Sequence, residues 1–294
     1  MLDYLAIGHI AQDLTPDGYR LGGTAAYAAL TAHALGLRTG IVTAASPGAV
    51  LDGLERIAVH CTPSEQNTIF ENRYTPESRV QTLHARAALL NVNSVPSEWA
   101  SAGIAHLAPI ANEVDYALVD HFAARRSPTS PDVGRNQRLR TPFIGLTPQG
   151  WMRRWDSIGR VTRGEWAEAA SLLNKASATV ISVEDVSNNW DLIERWAAES
   201  KVFVATEGER GATVFWNGER RRFPAPAVNV IDATGAGDIF AACLFARLWR
   251  TGDAWNAVKF AIALATDSVT RIGIDGVPTQ HAIRDTLSAI GHQP

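Results

Sequence analysis

Apolar runs long enough to be buried strands alternate with segments of helical period along the whole chain. That alternation is what helices covering both faces of a mostly parallel sheet require, so an α/β fold is expected. The opening unit shows the pattern. Residues 4–8 are an apolar run, residues 24–35 are rich in alanine and leucine and stop at Gly36, and residues 41–43 read as the next strand. Glycine just past a helix can take the left-handed position that ends it. Further strands are expected at 104–107, 143–146, 179–182 and 202–206, with helical patterns at 114–124, 166–173 and 192–198. With 294 residues, 46% of them hydrophobic, the chain can bury a large core, and a disordered chain is excluded. No shift in composition and no internal repeat divides it, so one domain over 1–294 with small insertions is expected.

Two stretches interrupt the alternation. Residues 68–74 and 79–84 are β-prone and flank the turn-like Thr75-Pro-Glu-Ser78, which suggests a hairpin projecting from the sheet. Residues 125–140 carry five arginines with Pro128, Pro131 and Gly134, the composition of a solvated loop. A formal net charge of −3 gives no electrostatic reason to seek nucleic acid or an anionic membrane, and a small molecule is the default partner. Cys61 and Cys243 match neither a disulfide framework nor a zinc spacing, and no leader or spanning apolar run is visible. A soluble cytoplasmic protein is the expectation.

The most informative segment is Asn229-Val-Ile-Asp-Ala-Thr-Gly-Ala-Gly-Asp238, followed at once by an apolar helical run over 239–248. Glycines at 235 and 237 remove side chains where backbone N–H groups converge, and a helix N-terminus adds partial positive charge. The result is an anion cradle. Phosphoryl transfer needs such a cradle for charge spread over the phosphoryl oxygens, together with a base near the acceptor hydroxyl. Asp238, in the first helical turn, is placed to be that base. A glycine-rich strand-to-helix turn with an early aspartate also occurs in α/β proteins without catalysis. Asp232 and Thr234 beside the cradle, and the apolar helix behind it, weigh against that reading.

Asp232-Ala-Thr-Gly-Ala-Gly-Asp238 closely resembles the C-terminal signature of ribokinase-like sugar kinases, the phosphofructokinase B group. The resemblance implies a ribokinase-like fold, a central mostly parallel sheet with helices on both faces and a small β lid. It implies an anion hole from Gly235, Ala236 and Gly237, and Asp238 as catalytic base. Gly22-Gly-Thr-Ala-Ala-Tyr27, after Gly8 and Asp13, is similar to the family's N-terminal region, so Asp13, Gly22, Gly23 and Tyr27 would face the acceptor; Tyr27 stands where the family usually has asparagine. Two adjacent glycines admit a ligand close to the backbone, and a carboxylate can accept two hydroxyl hydrogen bonds, as a polyol would offer. Only eight residues separate Asp13 from Gly22, which predicts a minimal lid, about 13–22 and 66–86, built on the hairpin around Pro76.

Three further segments follow the family in order. Thr206-Glu-Gly-Glu-Arg-Gly-Ala212 resembles its nucleotide-side loop, giving Thr206, Gly208 and Gly211, with Thr234, to the donor nucleotide. Ser182-Val-Glu-Asp185 occupies the place of its Asn-x-x-Glu motif, so Asp185 would organise water around Mg²⁺. Gln149 and Arg153 fall where relatives carry polar residues toward the cleft, and Asp232 is a candidate for a monovalent-cation loop. The implied cofactors are ATP and Mg²⁺, with K⁺ as a further cation, and the family admits a homodimer. The short lid, Tyr27 and Thr68-Ile-Phe-Glu71 look most similar to myo-inositol kinases. A nucleoside kinase is the near alternative, and a catalytically silent binding protein of the same fold is a third. A dinucleotide-binding oxidoreductase lacks its third glycine here, and no Gly-x-x-x-x-Gly-Lys loop occurs.

Overall fold

The computed structural model describes residues 1–49, 51–74, 79–124 and 142–291. The arginine-rich 125–140 segment and the Thr75–Ser78 turn around Pro76 lie outside the described residues. From the N-terminus come β1 (Tyr4–Ile7), β2 (Ala11–Thr15), β3 (Gly18–Gly22), α1 (Thr24–Ala34), β4 (Thr39–Ala45), β5 (Ala58–Pro63), β6 (Thr68–Tyr74) and β7 (Arg79–Ala85). The middle of the chain forms β8 (Ile104–Leu107), α2 (Ala117–Ala123), β9 (Phe143–Leu146), β10 (Arg153–Trp155), β11 (Val161–Arg163), α3 (Ala169–Leu173), β12 (Ala178–Ser182) and α4 (Trp190–Ala198). It closes with β13 (Val202–Thr206), β14 (Ala212–Trp216), β15 (Glu219–Phe223), α5 (Ala236–Thr251), α6 (Ala254–Ser268) and α7 (Gln280–Ala289).

Among the described residues nine strands make the main sheet, in the order β15-β14-β13-β12-β9-β8-β1-β4-β5. Every pairing from β5 across to β13 is parallel, and β14 and β15 add an antiparallel edge. Parallel strands covered on both faces should be apolar throughout, because successive side chains enter opposite layers. β1 does this: Tyr4 and Ala6 join the core under α1, α5, α6 and α7, while Leu5 and Ile7 join the core under α2, α3 and α4. The α/β expectation is met, and the expected strands at 104–107, 143–146 and 202–206 coincide with β8, β9 and β13.

Helix boundaries follow local chemistry. The chain leaves α1 at Gly36, φ 80°, and α5 at Gly252, φ 69°. Asn189 caps α4 by accepting from the Leu192 amide, and Asp253 caps α6 through the Trp255 and Asn256 amides. The helix expected from residue 114 begins only at Ala117, because Val114 forms a parallel bridge with Leu90 and Asp115 accepts from the Ala117 amide. The one expected from 166 begins at Ala169, since buried Trp166 packs tilted against Trp151 and edge-on to Trp196 instead.

The second sheet is larger than the single hairpin expected. The residues between Asp13 and Gly22 form their own antiparallel pair, β2 with β3, and β2 joins β6 in parallel, giving the order β3-β2-β6-β7. A two-residue turn, Pro16-Asp17, followed by Gly18 at φ 114°, makes this possible in so short a span. The β10–β11 hairpin meets the free edge of β7, where Thr82 bridges Arg160 and the Leu83 amide donates to Gly159 O at 2.8 Å.

The root of this sheet is a buried polar knot. His9 Nε2 lies 2.8 Å from Ala88 O, so that nitrogen carries the proton and Nδ1 must accept; the Thr68 hydroxyl donates to it at 2.6 Å and itself accepts from the Ala87 amide at 3.0 Å. Burial holds the His9 pKa below its ordinary value, in keeping with a neutral ring. The fully buried Glu113 carboxylate accepts from the amides of His9 at 3.1 Å, Ile110 at 3.0 Å and Ala111 at 2.6 Å. One knot thus joins the ends of β1, β7 and β8 to the start of β6.

Candidate active site

In open α/β sheets ligands bind beyond the carboxyl ends of the strands. Here that edge gathers the segments after β1, β4, β8, β9, β12 and β13, and with them most of the residues singled out in the sequence. Gly235 is the N-cap of α5 at φ 77°, a conformation a side chain strains, and Ala236, Gly237 and Asp238 open the helix. The two glycines differ in their reason. A Cβ at Gly235 would lie 2.4 Å from Tyr27 Cδ1, whereas one at Gly237 would meet nothing within 4 Å. Packing within the protein therefore demands glycine at 235 but not at 237.

The loop before α5 is tied down through Asp232. One carboxylate oxygen accepts from the Thr234 amide and the other from the Gly273 amide, each at 2.9 Å, and the Ile231 and Asp232 amides both donate to Val269 O. Burial works to raise the Asp232 pKa, but the bonds from Thr234 and Gly273 and the nearby Arg20 guanidinium hold it below the usual value. Asp232 stays ionised and staples the glycine loop to the segment after α6.

On the second sheet, Asp13 lies over Gly22, where a Cβ would come within 2.4 Å of its carboxylate. Arg20 and Phe70 stand directly opposite Asp13 on the two neighbouring strands and so share its face. The Arg153 guanidinium sits 5.5 Å from the Phe70 ring centroid and donates to Ile110 O at 2.8 Å. Tyr27 links the two halves. It is 2% exposed on α1, its ring touches Gly235, and burial first, then the fields of Asp238, Asp13 and Asp232, push its hydroxyl pKa above the ordinary range. Three carboxylates from three separate segments thus converge on one side chain.

Gln149 and Asp185 are brought together: Gln149 Nε2 donates to Asp185 Oδ1 at 2.9 Å, and Asp185 Oδ2 accepts from the Ser182 amide at 2.8 Å. No group of three or more His, Cys, Asp or Glu side chains is arranged to hold a metal among the described residues. Thr206 donates to Ile181 O at 3.2 Å, and Gly211, at φ 96°, lets the chain after β15 pass so close that a Cβ would sit 2.0 Å from Phe223 O. Gly208, φ 61°, faces open space.

Arg20 was not singled out in the sequence, and Phe70 only as part of the Thr68–Glu71 segment. Their signal is the Pro16-Asp17 turn: reading it as a hairpin places Arg20 across from Asp13.

Residues 163–280 match the signature of the pfkB family carbohydrate kinases. A cytidine kinase of Thermococcus kodakarensis is 24% identical over 291 residues, covering 93% of this chain and 98% of that one. Among solved structures, a pyrophosphate-dependent kinase in the ribokinase family, complexed with a pyrophosphate analog and myo-inositol, aligns with a TM-score of 0.75 at 18% identity, over 97% of this chain and 100% of its own. Ribokinase from Thermotoga maritima aligns with a TM-score of 0.71 at 16% identity, over 98% and 100% of the two chains. The fold is the one shared by these ribokinase-family structures. The segment that matches the pfkB family of carbohydrate kinases is the one that carries the glycine loop and Asp238. No described helix is long and apolar enough to cross a membrane.

Proposed function

We propose that this kinase moves the γ-phosphoryl group of ATP to a hydroxyl of a small polyol, with myo-inositol as the first candidate and Asp238 as the base. The observation that supports the proposal is that the fields of Asp238, Asp13 and Asp232 all reach Tyr27, whose ring lies against Gly235 at the N-terminus of α5. Asp13, over the Gly22 backbone, accepts hydroxyls of the acceptor and orients it. Asp238 takes the proton of the attacking hydroxyl. The amides of Gly235, Ala236 and Gly237, with the dipole of α5, hold the charge that develops on the transferred group. Open space beside Gly237 suits an anion brought to that backbone. Bound Mg²⁺-ATP would supply the phosphoryl group and charge neutralisation, with Asp185 holding water on its side and Thr206, Gly208, Gly211 and Thr234 lining its path. The β3-β2-β6-β7 sheet acts as the lid over the acceptor and excludes water. Gln149 and Arg153 contribute to the acceptor side, and Asp232 orders a monovalent-cation loop. The reading keeps the chain as one cytoplasmic domain and admits a homodimer, which light scattering would decide.

A nucleoside acceptor is the second reading, favoured by the full-length similarity to a cytidine kinase. Product release should be measured with Mg²⁺ and either ATP or pyrophosphate over cyclitols, sugars and nucleosides, beside Asp238→Asn. Turnover of myo-inositol with ATP, reduced about 10²- to 10⁴-fold in the variant, is the expected result. Turnover of cytidine alone would move the acceptor, and pyrophosphate use would move the donor. An unchanged rate in Asp238→Asn would remove the base, while binding without turnover would favour a silent sensor.

A further inference from the structure

Tyr27 sits one turn into α1, the helix that starts directly after Gly22-Gly23, beneath Asp13. Its ring is pressed against Gly235 so closely that a Cβ there would come within 2.4–2.8 Å of Cδ1, Cε1 and Cγ. Its hydroxyl reaches the next loop, lying 3.8 Å from where a Cβ at Gly273 would be. Among the described residues no protein group hydrogen-bonds that hydroxyl. Hydrogen bonds fasten the glycine loop as well: Asp232 ties it to Gly273, Val269 O receives the Ile231 and Asp232 amides, and Ile239 continues into α5 by donating to Gly235 O. The Tyr27 ring is what the loop rests on, and glycine at 235 is what lets the ring come so near.

We propose that Tyr27 is a positioning residue for phosphoryl transfer, its ring setting the height of the Gly235–Gly237 amides relative to the acceptor held at Asp13. One rigid aromatic side chain, rooted in the helix that carries the acceptor's floor, thereby gauges the distance between the two reacting halves. In-line transfer is sensitive to such a distance, since a displacement of about 1 Å can lower a rate about 10²-fold. The inference rests on the proposed role of the Gly235–Gly237 amides as the cradle for the transferred group.

The test is a set of four variants with kinetics and thermal melting. Tyr27→Ala should lower kcat about 10²-fold while the acceptor KM moves less than about threefold. Tyr27→Phe, which keeps the ring, should recover most of that loss. Gly235→Ala should be severely impaired alone, but the added methyl fits the space the ring vacates, so its further effect in the Tyr27→Ala background should be at least about tenfold smaller. A Phe variant as impaired as the Ala variant, or effects at 27 and 235 that simply multiply, would overturn the proposal. Melting separates loss of fold from loss of geometry. If Tyr27→Ala does not fold, Tyr27→Leu, which keeps much of the bulk, takes its place with the same split expected. Coupling between 27 and 235 in melting with no turnover of any acceptor by the unmodified chain would instead sink the kinase-cradle reading while leaving the ring contact demonstrated.

Discussion

Acid should reveal how far the main sheet depends on one uncharged imidazole. His106 of β8 is fully buried, with Nδ1 2.8 Å from the Tyr4 hydroxyl, Nε2 2.8 Å from the Thr147 hydroxyl, and its ring edge-on to Phe245 at 5.0 Å between centroids. Burial pushes its pKa down from 6.5 to about 3. The unfolded chain binds this proton near 6.5 and the folded chain only near 3, so protonation favours unfolding. Its contribution is whole above about pH 6.5 and is lost as the pH falls through that window. The slope is about 1.4 kcal/mol per pH unit, and the whole window amounts to about 5 kcal/mol, comparable to the net stability of a domain. Urea unfolding of the intact chain and of His106→Leu at pH 7.5, 6.0, 5.0 and 4.5 measures this. Leucine leaves the Tyr4 and Thr147 hydroxyls without their partner, so at pH 7.5 the variant should be weaker by about 2–4 kcal/mol. Below pH 6 the two stabilities should converge at about 1.4 kcal/mol per unit, because the variant lacks this proton. His9, neutral and buried in both proteins, contributes with the same sign and subtracts out. Parallel curves would refute the reasoning.

Two further substitutions test the frame around the site. Gly211→Ala puts a methyl against the backbone of Phe223, Pro224 and Ala225 at a positive φ, and should lower the melting temperature by about 5–10 °C, for about 3 kcal/mol; Gly208→Ala, facing open space, should cost only about 1 kcal/mol, and equal losses would show that the close approach is not the cause. Thr68→Val leaves His9 Nδ1 and the Ala87 amide unpaired in the knot, so urea unfolding should report a loss of about 2–4 kcal/mol, and a loss under 0.5 would mean that the knot is dispensable.

Much of this architecture was legible because it is local. β1, β8, β9 and β13 are buried on both faces and so announce themselves as apolar runs, and the glycine loop before α5 carries its chemistry in consecutive residues. β2 and β3 were not legible as a pair, since Gln12, Asp13 and Arg20 break the apolar pattern and only their register explains them. β5, with His60 and Cys61, and the arginine-bearing β10 escaped for the same reason. The contact of Tyr27 with Gly235 leaves no trace in either period, because it depends on how α1 and α5 pack. Sequence reasoning could name both residues for the site without showing that they touch.

The two margins of the main sheet are unequally guarded. On β15 the guanidinium of Arg220 lies 4.9 Å from the Trp190 ring, that of Arg221 lies 4.3 Å from the Trp255 ring, and Arg222 bonds Glu207. Each of the three arginines also pairs with a glutamate, Glu194, Glu219 and Glu207 in turn, and charged side chains of this kind hinder strand addition at a sheet edge. β5, Ala58–Pro63, is largely exposed and carries no acidic or basic residue apart from His60. Among the described residues no strand pairs with the outer edge of β5, and this strand displays the Cys61 thiol.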